Sequence, residues 1–288
     1  VTRRIFLALL LAPLAAFAQP AELGGSGPVR ITAQDAIEWR EAEQVVIARG
    51  SAQAVREGVT LSADRLVARY RPRSGAAPAT QPGSGPGASE VWRLEAEGNV
   101  RIATGSETAI ADRGIYDIDQ GVLVLTGRAL SVANATDRIT ARDAMEYWPQ
   151  RRLAVARGDA VVTTPGRRLS ADTLAAYFLE QAPAGRPAPR QGQPDTGRLD
   201  RVEAFGNVAI RTEAETVQGD RGVYTALTGI ALLGGNVRIT RGQNQLNGAL
   251  AEVNLRTGVS RLLAAQGARV TGLVVPQGEV PAAPAAPR

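Results

Sequence analysis

The chain has 288 residues, enough for one large domain or two ordinary ones. It holds no Cys and no His, which excludes disulfide frameworks, thiol or His-dependent catalysis and the common zinc sites. All 33 basic residues are Arg, against 28 acidic ones; the formal net charge of +5 is too mild for the dense basic face of a nucleic-acid binder, so no nucleic-acid partner is expected.

The first segment, "VTRRIFLALLLAPLAAFAQP", opens with Arg3 and Arg4, runs apolar from Ile5 to Leu14 and carries small residues at Ala16 and Ala18. This is the layout of a cleavable signal peptide over 1–18, and the apolar run is shorter than the ~20 residues of a membrane span. The Arg3–Arg4 pair suits either the general secretory route or twin-arginine export. A periplasmic location is expected.

From residue 30 onward the chain repeats itself. "RITAQDAIEW" (30–39) returns as "RITARDAMEY" (138–147), with seven of ten positions identical at an offset of 108. "LSADRLVARY" (61–70) returns at 169–178, "RLEAEGNVRI" (93–102) at 201–210 and "ADRGIYD" (111–117) at 219–225, all at that offset. The expected organisation is therefore one region over 29–270, built of tandem copies at about 30–137 and 138–270. A finer unit is printed roughly seven times, marked by an Asp followed by an aromatic residue and by a Gly further on. Asp35 and Gly50, Asp112 and Gly127, Asp143 and Gly158, and Asp220 and Gly235 share one spacing. That spacing grows by 19 in two places, at the Pro/Gly-rich stretches 71–90 and 180–198. Neither stretch can bury a core, and both are expected to be flexible inserts at one equivalent place in each copy, with 275–288 as a disordered tail.

Within the units apolar residues alternate with polar ones, the period of a β-strand with one dry face. Leu94, Val100 and Ile102 share a face with Ala96, while Arg93, Glu95, Glu97 and Arg101 share the other. Val202, Val208 and Ile210 repeat the pattern, and Leu233, Val237 and Ile239 repeat it again. These nine residues are the candidate lining of an apolar groove; packing against one another as a plain core is the alternative. A half-unit, from Asp to Gly, exceeds the usual strand of ~5–6 residues, so each should bend once, with the Gly markers as the bends or as turns where the chain folds back. The Asp residues recur once per unit, as structural residues do, and suit turns and local backbone hydrogen bonds. No catalytic residue, metal ligand or cofactor is indicated, and the marker aromatics suit the rim of the lining.

The segment "GVLVLTGRALSVANATDRITARDAMEYWPQRRLAVARGDAVVTT" (121–164) resembles the OstA-like family, with a weaker copy at 232–253 in which Ala249 stands where the Asp should be. That resemblance implies an all-β, V-shaped antiparallel β-jelly-roll whose groove shields the acyl chains of lipid A. The implied role is a lipopolysaccharide-binding bridge in transport from inner to outer membrane. Its implied partners are an LptC-like inner-membrane protein and an LptD-like outer-membrane protein, with head-to-tail self-association. Two alternatives stay open: another transport component, LptC-like or like the N-terminal domain of LptD, and a structural β-solenoid without a lipid ligand. N-terminal sequencing of the exported protein should read from Gln19; material still beginning at Val1 would refute the signal-peptide reading.

Overall fold

The computed structural model describes residues 29–56, 58–72, 89–179, 199–264 and 270–273. Segment 1–18, the second insert and the tail lie outside the described residues, as does 73–88 of the first insert. The edges of the first insert belong to strands, where Arg71 pairs with Glu90 and Pro72 with Ser89.

Alternation dictates strands, and among the described residues every regular stretch but one short 3-10 turn (Pro149–Arg151) is a strand. The first rung of the ladder is split into β1 (Arg30–Thr32) and β2 (Ala36–Arg40). Four unbroken rungs follow: β3 (Val45–Arg56), β4 (Val59–Pro72), β5 (Ser89–Ala103) and β6 (Thr108–Asp117). Two split rungs come next, β7 (Val122–Thr126) with β8 (Ser131–Ala133), and β9 (Arg138–Thr140) with β10 (Ala144–Trp148). Six more are unbroken: β11 (Leu153–Thr164), β12 (Arg167–Phe178), β13 (Leu199–Thr212), β14 (Thr216–Thr225), β15 (Ile230–Arg241) and β16 (Asn244–Asn254). The last is split into β17 (Val259–Leu263) and β18 (Thr271–Leu273). All pairing is antiparallel between rungs consecutive in the chain. Fourteen rungs are two for each of the seven sequence units.

Each unbroken rung is too long to stay straight, and the sequence supplies the bend. At five rungs the bend is a bulge of two residues with positive φ: Gly50/Ser51, Gly98/Asn99, Gly158/Asp159, Gly206/Asn207 and Gly235/Asn236, at 73–81° for the Gly and 45–48° for its follower. Two residues on this strand face one on its neighbour, the arrangement of a β-bulge, as where Glu97 and Val100 pair with Arg113 and Ala111. The Gly markers are therefore bends within strands. The reversals lie elsewhere, in short turns such as Gly166 or the one where Thr104 Oγ1 accepts from the amides of Ser106 and Glu107.

The Asp markers sit across these bends rather than in turns. Asp35, Asp64, Asp143, Asp172 and Asp220 lay their carboxylates over Gly50, Gly98, Gly158, Gly206 and Gly235, where an added Cβ would come within 2.1–2.4 Å of the Asp side chain. Asn99, Asn207 and Asn236 donate to Asp64, Asp172 and Asp220 at 2.8–3.1 Å. Glycine is required twice over, by positive φ and by the carboxylate. Asp112 and Gly127 meet differently, at a split rung: an added Cβ would come within 2.4 Å of the Asp112 backbone nitrogen, and the Asp112 carboxylate accepts from the Arg128 amide.

The row of bends creases the ladder into two arms. The insert arm holds β2, β7, β10, β17 and the matching halves of the long strands, and both inserts leave from its tip. The hairpin arm holds β1, β8, β9, β18 and the other halves. The dry faces of the arms meet in one continuous apolar cluster, from Ala52 and Leu61 through Ile139 and Leu174 to Val253. Gly206→Ala should lose about 3 kcal/mol in urea denaturation, because it adds overlap with Asp172 to the strain of positive φ. Gly258→Ala, at φ +69 with open space around it, should lose only about 1 kcal/mol. Equal losses would remove the carboxylate contact from the account.

Candidate functional site: the interior between the arms

Strand parity aims the candidate residues inward, and the structure places all nine in the apolar cluster between the arms. Val100, Ile102, Val202, Val208, Ile210, Leu233, Val237 and Ile239 are buried, and Leu94 is half-buried and packed against them. Arg101 and Arg238, one residue away, are exposed. Residues of both copies therefore line one interior, brought together by the register Leu61–Ile102–Ala109 in the first and Leu169–Ile210–Val217–Ile239 in the second.

Sequence reasoning missed the residues on the strands that carry the Asp. There the dry face changes parity at the bend: Val59, Leu61 and Ala63 precede Asp64, and Leu66 follows it, at the opposite parity to Ala63. Ala171 and Leu174 straddle Asp172 in the same way. The skip is visible in the alternation once the Asp is taken as the fold line. Ile139 and Met145 were also missed, because their strands are too short to show a period, as was Leu130, which precedes the three-residue β8.

The interior is tightly packed, with Val100, Leu174, Val208, Leu233 and Val237 fully buried. Among the described residues two partly open apolar pockets lie along it, of about 60 and 40 Å³. They overlap in part under the internal repeat: Ile102 and Leu125 line one, Ile210 and Leu233 the other. Tyr147 on the first corresponds to Leu255 on the second. Each has room for a few waters at most and, being apolar, stays dry.

The ends of the interior differ. At the first rung Ile37 and Trp39 on the inner face of the insert arm are about half exposed, and Trp39 Nε1 donates to Tyr70 Oη at 2.6 Å. Toward the last rungs the tips of the arms are tied together. Arg167, on the hairpin arm, donates to the Leu255 carbonyl on the insert arm, and Ser260 bonds to Glu215. Arg241 holds the other oxygen of Glu215 at 2.9 Å. Burial pushes the Tyr224 hydroxyl up, against the opposing charges of Arg256 and Arg167. The marker aromatics thus divide: Tyr116, Tyr147 and Tyr224 line the inside of the insert arm, whereas Tyr177 faces out beneath Arg201, 3.9 Å from its ring.

The outer face carries the charge. Glu95, buried on that face, is met by Arg69 at 3.0 Å, Arg93 at 3.1 Å and Arg113 at 3.8 Å. Burial alone would raise its pKa, but the Arg69 hydrogen bond and the three cations outweigh it and hold the carboxyl below its usual value of 4.5. Among the described residues no cluster of three or more Asp or Glu is placed to hold a metal ion. The bend carboxylates are each occupied by their own corner.

An antiparallel ladder creased over a duplicated dry interior is the OstA-like β-jelly-roll. The chain belongs to the family described as LptA/(LptD N-terminal domain) LPS transport protein, whose model matches residues 30–147 and again 138–259. The two matches begin at positions 30 and 138, as the two copies of the internal repeat do. The family is one of lipopolysaccharide transport components. Among solved structures the chain is similar to LptH, described as the LptA homologous periplasmic component of the lipopolysaccharide transport device from Pseudomonas aeruginosa. Identity is 18%, the TM-score 0.39, and the likeness covers 49% of this chain and 95% of that one. No curated protein sequence matches the chain.

Folding favours the ionised form of Glu95, so its contribution is complete above about 4.5 and fades as pH falls through the lowered value. Glu95→Gln should therefore destabilise at pH 7, with the gap to the parent closing below pH ~4. A gap independent of pH in urea melts would assign the loss to packing.

Proposed function

We propose that this protein is a periplasmic lipopolysaccharide carrier that shields lipid A acyl chains between its two arms and bridges inner and outer membranes as part of a head-to-tail series. The observation that carries the reading is a dry interior continuous from the first rung to the last, in a chain of a lipopolysaccharide transport family. Each methylene moved from water into such a lining gains about 0.8 kcal/mol, so several chains would be held firmly.

Among the described residues the two interior pockets are too small for an acyl chain, so loading requires the arms to part. Self-contacts of the lining are then exchanged for contacts with the lipid, which keeps the cost of opening low while lipid is present. The half-exposed Ile37 and Trp39 mark the first rung as the entrance, and the tied tips near Leu255 mark the other end as the part that opens last.

The first and last rungs each have an edge without a strand partner among the described residues. An exposed edge recruits another strand. Because the two edges differ, pairing between them is heterologous and propagates. An LptC-like protein at one edge and an LptD-like protein at the other would extend the same lining. A component equivalent to the N-terminal domain of LptD is the second reading, since the matched family includes it.

A photo-crosslinking aromatic at Tyr147 or Tyr224, each beside one cavity, should trap lipopolysaccharide, whereas the same probe at Arg101 or Arg238 should trap far less. Replacing Tyr by an aromatic probe keeps the packing, and melting curves verify the fold. Equal trapping from inside and outside, or none from either, would favour an inert scaffold.

A further inference from the structure

The two copies diverge on the outer side of the crease, and the divergence leaves a polar pocket of about 450 Å³ in the first copy. Thr32, Ser62, Asp64 and Asn99 line it, and the equivalent positions of the second copy are again Thr140, Ser170, Asp172 and Asn207. The remaining polar positions differ: Gln34, Ser51 and Gln53 correspond to Arg142, Asp159 and Val161.

The substitutions change what crosses the site. In the second copy Arg142 bonds to both oxygens of Asp143 at 2.8 and 3.2 Å and also to Asp159, and it stands within electrostatic range of Asp172. A guanidinium thus lies across that position. In the first copy both members of the long ion pair are neutral, Gln34 and Ser51, and Gln53 adds a second amide where the other copy has Val161.

What remains is a concave set of amides and hydroxyls around one carboxylate. Gln34, Gln53 and Asn99 each offer donors and an acceptor, Thr32, Ser51 and Ser62 each offer a hydroxyl, and Asp64 accepts from Asn99 with lone pairs to spare. The lining contains no cation to attract phosphate. It has one carboxylate, too few for a divalent metal. Ala33 and Ala63 add apolar surface against which the C–H face of a sugar ring can pack. Mixed donors and acceptors at short spacing match vicinal hydroxyls, each of which gives and takes one hydrogen bond. It is an open depression, a shape that a short glycan can lie across.

We infer that this pocket is a saccharide site, binding a short neutral stretch of glycan at the first-copy end of the crease, outside the lipid interior. The inference rests on the pocket's own chemistry and not on lipid binding. The sugar portion of lipopolysaccharide is one source of such a ligand and an unrelated neutral oligosaccharide another.

Saturation-transfer NMR on the full chain distinguishes them, with two probes free of acyl chains: the oligosaccharide released from lipopolysaccharide by mild acid, and maltohexaose. Transfer to either probe is expected with the parent protein. Gln34→Arg with Ser51→Asp imports the ion pair of the second copy and should weaken binding about tenfold or more, the loss of one or two hydrogen bonds. The exchange suits the backbone, since Ser51 at φ 46° takes the conformation that Asp159 holds at 45°. Gln53→Val, a milder change, should weaken binding in the same direction. Transfer to neither probe, or unchanged transfer in both variants with the melting temperature kept, would overturn the inference. Neither result bears on lipid trapping from Tyr147 or Tyr224.

Discussion

The structure depends on one contact repeated along the crease, an Asp carboxylate seated over a glycine of the neighbouring strand. A single-layer sheet with one dry face must cover that face or associate through it. Here it is covered by folding the ladder on itself, and at five rungs the fold line uses two successive residues at positive φ. L-residues other than Gly take that conformation at a cost of about 1–2 kcal/mol, which explains why Asn or Asp so often follows the Gly. The Asp opposite then accepts from that Asn and occupies the space that a Cβ would need.

Because the crease presses two copies of one kind of surface together, the interior is at once the hydrophobic core and the candidate lipid path. Alanine recurs in it, at Ala48, Ala52, Ala63, Ala96, Ala156, Ala160 and Ala176, and lets the arms approach closely. The two residual cavities lie where larger residues, Ile102 and Leu125 or Ile210 and Leu233, stand off from an aromatic or leucine near the tip. A ligand that enters there competes with the protein's own side chains, so stability without lipid and occupancy with lipid are linked. Ties at Leu255 and Glu215 bias the last rungs toward the closed state, and exposed Ile37 and Trp39 leave the first rung less committed.

Much of this was legible in the chain. Alternation around Gly98, Gly206 and Gly235 identified strands and their dry faces, because the two-residue bulge on those strands preserves parity. The long repeat gave the period of the cavities and of the family matches. The partnership of the two markers was not legible. Asp64 and Gly98 lie on opposite sides of an insert, and nothing local says that a carboxylate covers that glycine. Simple parity does not hold on the Asp strands, where Ala63 and Leu66 both face inward. The closeness of the arms was beyond the sequence as well, since a groove lining and a packed core share one pattern of Val, Leu, Ile and Ala. The divergence between Gln34 and Arg142 was in plain view, but it acquired meaning only once their neighbours were placed.

The central claim is that the interior loads by parting the arms. Spin labels at Ser106, on the tip of the hairpin arm, and Ala42, on the tip of the insert arm, report the width of the mouth near the first rung, and both positions are exposed. Pulsed electron-spin distance measurements should give a single short distance without lipid and a longer population that grows with added lipopolysaccharide. A distance unchanged at saturating lipopolysaccharide, with the protein folded, would contradict the account.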